Sequence, residues 1–516
     1  MVGTGIFTTP GYVLSLTNGK GLSLFLWGLG GVYAALCLVI YLDYGTAMPF
    51  NGGELIYFNK VWGRPKLLSA VLFSGYFISL GHTSGNSIAF ARQVILASQP
   101  PGVPEDGTQP DDSVFDSRLV NFIALTVLGA VCLLHYFTKR LGLFLNRVSA
   151  FYKVALLFVV AFLAFGVRIP HIDFEWQDRS PSNFKPFDSV AGFIYITYSY
   201  SGWENANYVI GELQAKPRTF RLGAFTALSI VTLGYVLVTL GYFLACSTLS
   251  IQNGADLGMA MILAPKFQIN GGHIGLQVCI AISAFGNLIA DVYTSCRVKQ
   301  AIALHNIIPF SKFFAADSKS FGTPGGALLL HWILSAIVIV SIPSTSDGYG
   351  FVVGLFTYGQ LGIGVFMGVL YYTLDKGIDP EQGWNPLLQG KWPKVIVGFT
   401  LAIANFMILV VAALPNNAGE IPRWMWPVTL AGVFGSSVIY WCLLKAFGGC
   451  FGRKLGWSAT VKVVKHDNDF QKMEHEHRRD GTKQRYEWTR GSRDNHWLVR
   501  WAQKIQRGAK WVGKYI

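Results

Sequence analysis

Long apolar runs separated by short polar stretches dominate this chain. They are Leu22–Leu42, Leu67–Ala97, Leu119–Phe137, Val148–Val167, Val190–Val209, Leu222–Cys246, Ile274–Tyr293, Ala327–Ile342, Phe351–Leu374, Val395–Leu414 and Trp424–Phe447. Each is close to the roughly 20 residues a helix needs to cross the hydrocarbon of a bilayer. The pattern predicts eleven spanning segments, and Ile6–Leu16 reads as a twelfth that is too short to span alone. Such a chain is expected to be an all-α membrane protein, because lipid offers no partners to unsatisfied backbone groups.

Composition excludes a soluble domain. Hydrophobic residues make up 52% of 516 and charged residues only 14%, against roughly 25% charged in soluble proteins. Lysine and arginine gather in alternate loops, at Lys60–Lys66, Lys139–Arg147, Lys216–Arg221, Arg297–Lys319 and Lys391–Lys394, while residues 99–118 are acidic. By the positive-inside rule the basic loops are cytosolic. The alternation closes only if the stub counts as a segment, which places the carboxyl terminus in the cytosol. The chain therefore divides into a transmembrane domain, 1–446, and a basic cytosolic tail, 447–516. Much of the net charge of +14 lies in that tail. A basic run can suggest nucleic acid, but beside a membrane span anionic lipid is the expected partner and no nucleic acid is. The tail's end, Trp497 to Val512, spaces aromatic and basic residues like an interfacial helix. The seven cysteines show no metal or disulfide spacing, so no cofactor or metal is expected.

Two segments carry interruptions at membrane depth. One is the stub, at Gly3-Thr4-Gly5. The other is the sixth segment, with Ser199-Tyr200-Ser201-Gly202 at its middle and Glu204 and Asn205 within the span. First and sixth are corresponding positions in a five-plus-five inverted repeat, and broken helices there point to a transporter's central site. The competing reading is that the glycines only permit close helix packing. A broken helix offers free N–H groups at one half-helix end, suited to a carboxylate, and free carbonyls at the other, suited to an ammonium. Together they suit a zwitterion, the shared part of every amino acid.

These residues carry a resemblance. GTGIF followed by a proline resembles the first-helix signature of the amino acid–polyamine–organocation superfamily. Tyr44-Gly45-Thr46 through Pro49, Gly52-Gly53 and Tyr57 resembles the stretch after the second helix in its L-type amino acid transporter branch, with Asp43 near the usual glutamate. SYSGWENANYVIGELQAKPRT is similar to that branch's sixth helix and following turn. It keeps Glu212, Pro217 and Arg218, while Ala215-Lys216 departs from the pattern. FGNLIADVYTSCR resembles the eighth-helix run, with Asp291 where a small residue is common. The likeness extends from residue 2 to about 446 and is greatest to fungal members of the methionine-permease type.

The resemblance implies a LeuT-like fold of twelve segments and alternating access. Backbone amides of Gly3, Thr4 and Gly5 are expected to bind the carboxylate, with Ile6 opening the outer half-helix. Carbonyls around Tyr198, Ser199, Tyr200 and Ser201 are expected to hold the ammonium, with Tyr198 as an aromatic gate. It also implies a cytosolic half-helix of about ten residues ahead of the glycines, half a span. The chain is accordingly expected to be truncated at its amino terminus. Animal relatives bind a heavy chain through a cysteine in the loop after the third helix. Gln99–Arg118 has none, so no disulfide-linked heavy chain is expected.

Ionisable residues within a span are functional candidates. Lys153 lies about two turns into the fifth segment. By resemblance it replaces the sodium ion of sodium-coupled relatives, or carries the coupled proton; otherwise it snorkels to the interface. Asp291 is expected to form an ion pair with Lys153, or to stay hydrated in a cytosolic vestibule. Asn287 is expected to face substrate, and Glu204 to be buried and hydrogen-bonded. His82, amid Thr83, Ser84 and Asn86, is a pocket or pH-sensing candidate, although a lone helical histidine is more often a packing residue. Thr357 and Tyr358, with Gln360, are candidates for the side-chain pocket.

The reading is a secondary transporter of neutral, large or sulfur-containing amino acids in the plasma membrane, sodium-independent, working by proton symport or exchange. The alternative is an amino acid sensor that signals through the tail. No polar pore stripe, HExxH or phosphate loop supports a channel or an enzyme.

Overall fold

The computed structural model describes residues 1–62, 64–65, 67–99, 115–167, 186–213, 216–254, 258–267, 271–305, 307–318, 320–343, 346–377, 384–414 and 421–455. Among them every regular element is a helix. In chain order the helices begin with α1 (Gly5–Thr17), α2 (Lys20–Ala47), α3 (Glu54–Val61), α4 (Leu68–Leu80), α5 (Ser84–Leu96), α6 (Ser117–Phe137) and α7 (Lys139–Phe165). Next come α8 (Pro186–Tyr200), α9 (Asn205–Tyr208), α10 (Pro217–Ala245), α11 (Thr248–Asn253), α12 (Met259–Leu263) and α13 (Gly272–Leu304). The last six are α14 (Ser311–Ala315), α15 (Gly325–Ser341), α16 (Ser346–Leu370), α17 (Leu374–Gly377), α18 (Lys391–Ala412) and α19 (Met425–Leu455).

Eight of these, α2, α6, α7, α10, α13, α16, α18 and α19, are long and apolar enough to cross a bilayer, and α15 is apolar but shorter. Of the other three expected segments two are divided and one is a short helix, which is why length alone does not reveal them. The first is represented by α1. The sixth is split into α8 and the single turn α9, because Gly202 takes φ +103° between them. The third was expected to run unbroken over Leu67–Ala97. It breaks into α4 and α5 at Gly81-His82-Thr83, where the His82 N–H bonds back to the Leu80 carbonyl at 2.9 Å in place of a helical partner.

Large apolar side chains such as Phe122, Phe151, Phe162, Leu222 and Ile396 point outward, as lipid-facing positions require. Inside, α1 packs along α8, and α8 packs also against α2, α16 and α18. Helix α13 crosses the interior against α5, α7 and α15. It is longer than its apolar run. Arg297 and Lys299, read as loop residues, lie in its last turns and are buried. The segment around Trp497 and most of the acidic stretch 99–118 lie outside the described residues.

Candidate functional site

The two breaks meet. Thr4 caps α1, its carbonyl accepting the Phe7 and Thr8 N–H groups at 2.9 and 3.1 Å. The first-turn N–H groups of a helix have no partners within it. Here Gly3, Thr4 and Gly5, which lead into that turn, line a cavity. Ile6 is fully buried in the core and does not line it. The carboxyl end of α8 stands opposite, presenting Tyr198, Ser199 and Ser201. Tyr200, expected beside them, turns its side chain away. Its hydroxyl donates to the Trp27 carbonyl at 3.0 Å and its ring packs on Tyr235. The Ser199 carbonyl, expected to be open to an ammonium, already accepts the Tyr235 hydroxyl at 2.8 Å. The Ser199 and Thr9 hydroxyl oxygens lie 2.9 Å apart, tying α8 to α1.

The third helix supplies another wall. Gly81, His82, Thr83 and Asn86 line the cavity, and the His82 ring nitrogen lies 2.6 Å from the Ser84 hydroxyl. The signal for this break was in the sequence, as a run of small and polar residues from Gly81 to Asn86 amid apolar neighbours. From α16 the lining residues are Val352, Val353 and Phe356. Thr357 and Tyr358 do not line the cavity. The Thr357 hydroxyl bonds back to the Val353 carbonyl, and Tyr358 reaches α18, donating to the Leu409 carbonyl at 2.8 Å. On α16 the cavity face is therefore one residue out of register with the expectation. Gln360 accepts from the Ser201 hydroxyl at 3.2 Å.

The expected ion pair between Lys153 and Asp291 is not among those formed by the described residues. Asp291 accepts instead from three amides, those of Asn86 at 2.6 Å, Asn205 at 2.8 Å and Asn287 at 3.2 Å. One carboxylate thus joins the third, sixth and eighth helices, and its three amide partners all line the cavity. Lys153 is buried on α7 rather than snorkelling. It packs against Gly286 of α13, where a Cβ would stand 3.1 Å from Lys153 Cε. Glu204 accepts from the Gly202 N–H at 2.9 Å, holding the loop between α8 and α9.

Below the cavity, beyond α9, Glu212 gathers a closing network. Its carboxylate meets Arg297 at 2.8 Å, the Tyr293 hydroxyl at 2.6 Å and Lys139 at 2.9 Å. Burial works against the charged carboxyl, but Arg297, Tyr293 and Lys139 together hold it below the ordinary glutamate value. The network ties the sixth, eighth and fifth segments to one another at these ends.

The family model described as amino acid permease matches residues 1–436. The chain is 24% identical over 462 residues to the high-affinity methionine permease of Saccharomyces cerevisiae, covering 86% of this chain and 76% of that protein. It is 24% identical to the low-affinity methionine permease of the same yeast, covering 71% and 67%. It is 26% identical to the human Asc-type amino acid transporter 1, covering 71% and 68%.

Proposed function

The chain belongs to the amino acid permease family, an integral multi-pass membrane protein whose activity is amino acid transport, and on that premise we propose that it carries neutral, large or sulfur-containing L-amino acids by alternating access, driven by a proton and not by sodium. One observation carries this reading. The amide end of α1 and the carboxyl end of α8 face each other across a cavity whose α16 wall is apolar and which no lysine or arginine lines among the described residues. A zwitterion has a place at the two helix ends, and its side chain meets Val352, Val353 and Phe356. The yeast relatives named as methionine permeases support a sulfur-containing substrate. The buried Lys153 ammonium supports sodium independence, because a fixed positive charge between α7 and α13 disfavours a cation there.

The test is uptake of radiolabelled methionine into proteoliposomes, with each of the other amino acids as competitor. Uptake is expected to rise when the outside is acidic, to collapse with a protonophore and to ignore sodium. Sodium-dependent uptake, or stronger competition by charged than by neutral amino acids, would overturn the proposal.

A further inference from the structure

Lys299 is fully buried, one layer behind the cavity, and the proposed mechanism has not used it. Its ammonium donates to the Gly81 carbonyl at 2.5 Å and lies 5.0 Å from the centre of the Phe77 ring. Gly81 and Phe77 both line the cavity. Its remaining neighbour is His331 of α15, with Nδ1 at 3.1 Å from Nζ. An ammonium has no lone pair, so the imidazole must accept there and carry its own hydrogen on Nε2. That nitrogen lies 3.0 Å from the Thr83 hydroxyl, which belongs to the cavity wall.

The titratable groups facing Lys299 are His331 from α15, His82 from the break, Cys132 from α6 and Cys296 from α13 itself. Among the described residues no carboxylate forms an ion pair with it, and the neighbouring Arg297 is engaged by Glu212. A charge held only by neutral partners in a dry interior is costly to keep, and a lysine is able to release its proton. Lys153 differs, because from α7 it feels the charge of the Asp291 carboxylate on α13.

We propose that Lys299 and His331 form the binding site of the co-transported proton, and that the wire from Lys299 Nζ through the imidazole to the Thr83 hydroxyl connects it to the substrate cavity. The inference rests on the proton-driven reading above. The transfer balances. The proton leaving Nζ goes to His331 Nδ1 while the Nε2 proton passes to Thr83 Oγ1 and on to the cavity, leaving Lys299 a neutral amine. That loss weakens its hold on the Gly81 carbonyl, so the third-helix wall of the substrate cavity responds to the state of the proton site.

Full-length protein in proteoliposomes with a trapped pH-sensitive dye reports protons moved per radiolabelled methionine moved. Wild type is expected to move protons with methionine. K299M and H331Q are expected to lose proton movement while methionine still moves. H331Q keeps the helix packing nearly intact, so it decides the matter if K299M does not fold. An unchanged ratio in the folded variants overturns the inference while leaving proton-driven transport standing. A wild type that moves methionine without protons overturns both. Folded variants that lose methionine and proton movement together also overturn it, since they make these residues part of the substrate path.

Discussion

Gly5 and Ser199 touch backbone to backbone: a Cβ built on Gly5 would stand 2.7 Å from the Ser199 hydroxyl oxygen and 2.9 Å from its Cα. The first and sixth helices therefore meet at the point where both present backbone groups to the cavity. Gly5→Ala forces them apart, and overpacking of this kind costs about 1–3 kcal/mol. Methionine uptake by this variant is expected to be lost while the protein still reaches the membrane. Wild-type uptake with normal surface abundance would show that the contact is not needed.

The two oxygens of Asp291 serve three amide donors. Asp291→Asn replaces one acceptor with an NH₂ that confronts a donor, at a cost of about 1–3 kcal/mol for the unmatched groups. Asn86, Asn205 and Asn287 all line the cavity, so the Michaelis constant for methionine is expected to rise. An unchanged constant would mean that Asp291 does not position them.

Glu212 lies beyond the sixth span, and its partners hold its carboxyl below the ordinary value of 4.5. A lowered value means that the charged form stabilises the closed inner end fully above 4.5, and that this is lost as pH falls through the lower, folded-state value. Thermal stability measured from about pH 7 to about pH 5 should therefore be flat in the part owed to Glu212, with loss only under stronger acid. Glu212→Gln should remove that acid-dependent loss and lower the melting temperature at neutral pH. It leaves buried Arg297 only the longer, more exposed pairing with Asp317 at 3.6 Å, and losing a buried partner of this kind is worth up to about 3 kcal/mol. Equal melting temperatures for the two proteins would contradict the closing role.

Lys153→Ala removes a buried ammonium packed on Gly286. Transport is expected to fall far more than melting temperature, because a buried charge without an ion pair contributes little to stability. Normal transport kinetics in this variant would remove Lys153 from the ion position.

The apolar runs by themselves located the long helices and required that spanning elements be helical, because bilayer thickness sets their length and lipid forbids open backbone. The glycine in the Ser199–Gly202 cluster marked the sixth-helix break, since only glycine readily tolerates the φ of +103° found at Gly202. What the cavity contains was decided by packing. In a soluble helix one apolar face marks the core, but in a membrane both the core and the lipid face are apolar. The turning of Tyr358 toward α18 and of Tyr200 toward Trp27 therefore had no sequence signature. The same holds for Asp291, whose amide partners include Asn86, 205 positions away in sequence. Lys299 read as a loop charge until the fold carried α13 past its apolar run and set the ammonium against Gly81. Local chemistry located the breaks; only the tertiary contacts decided which side chains meet in them.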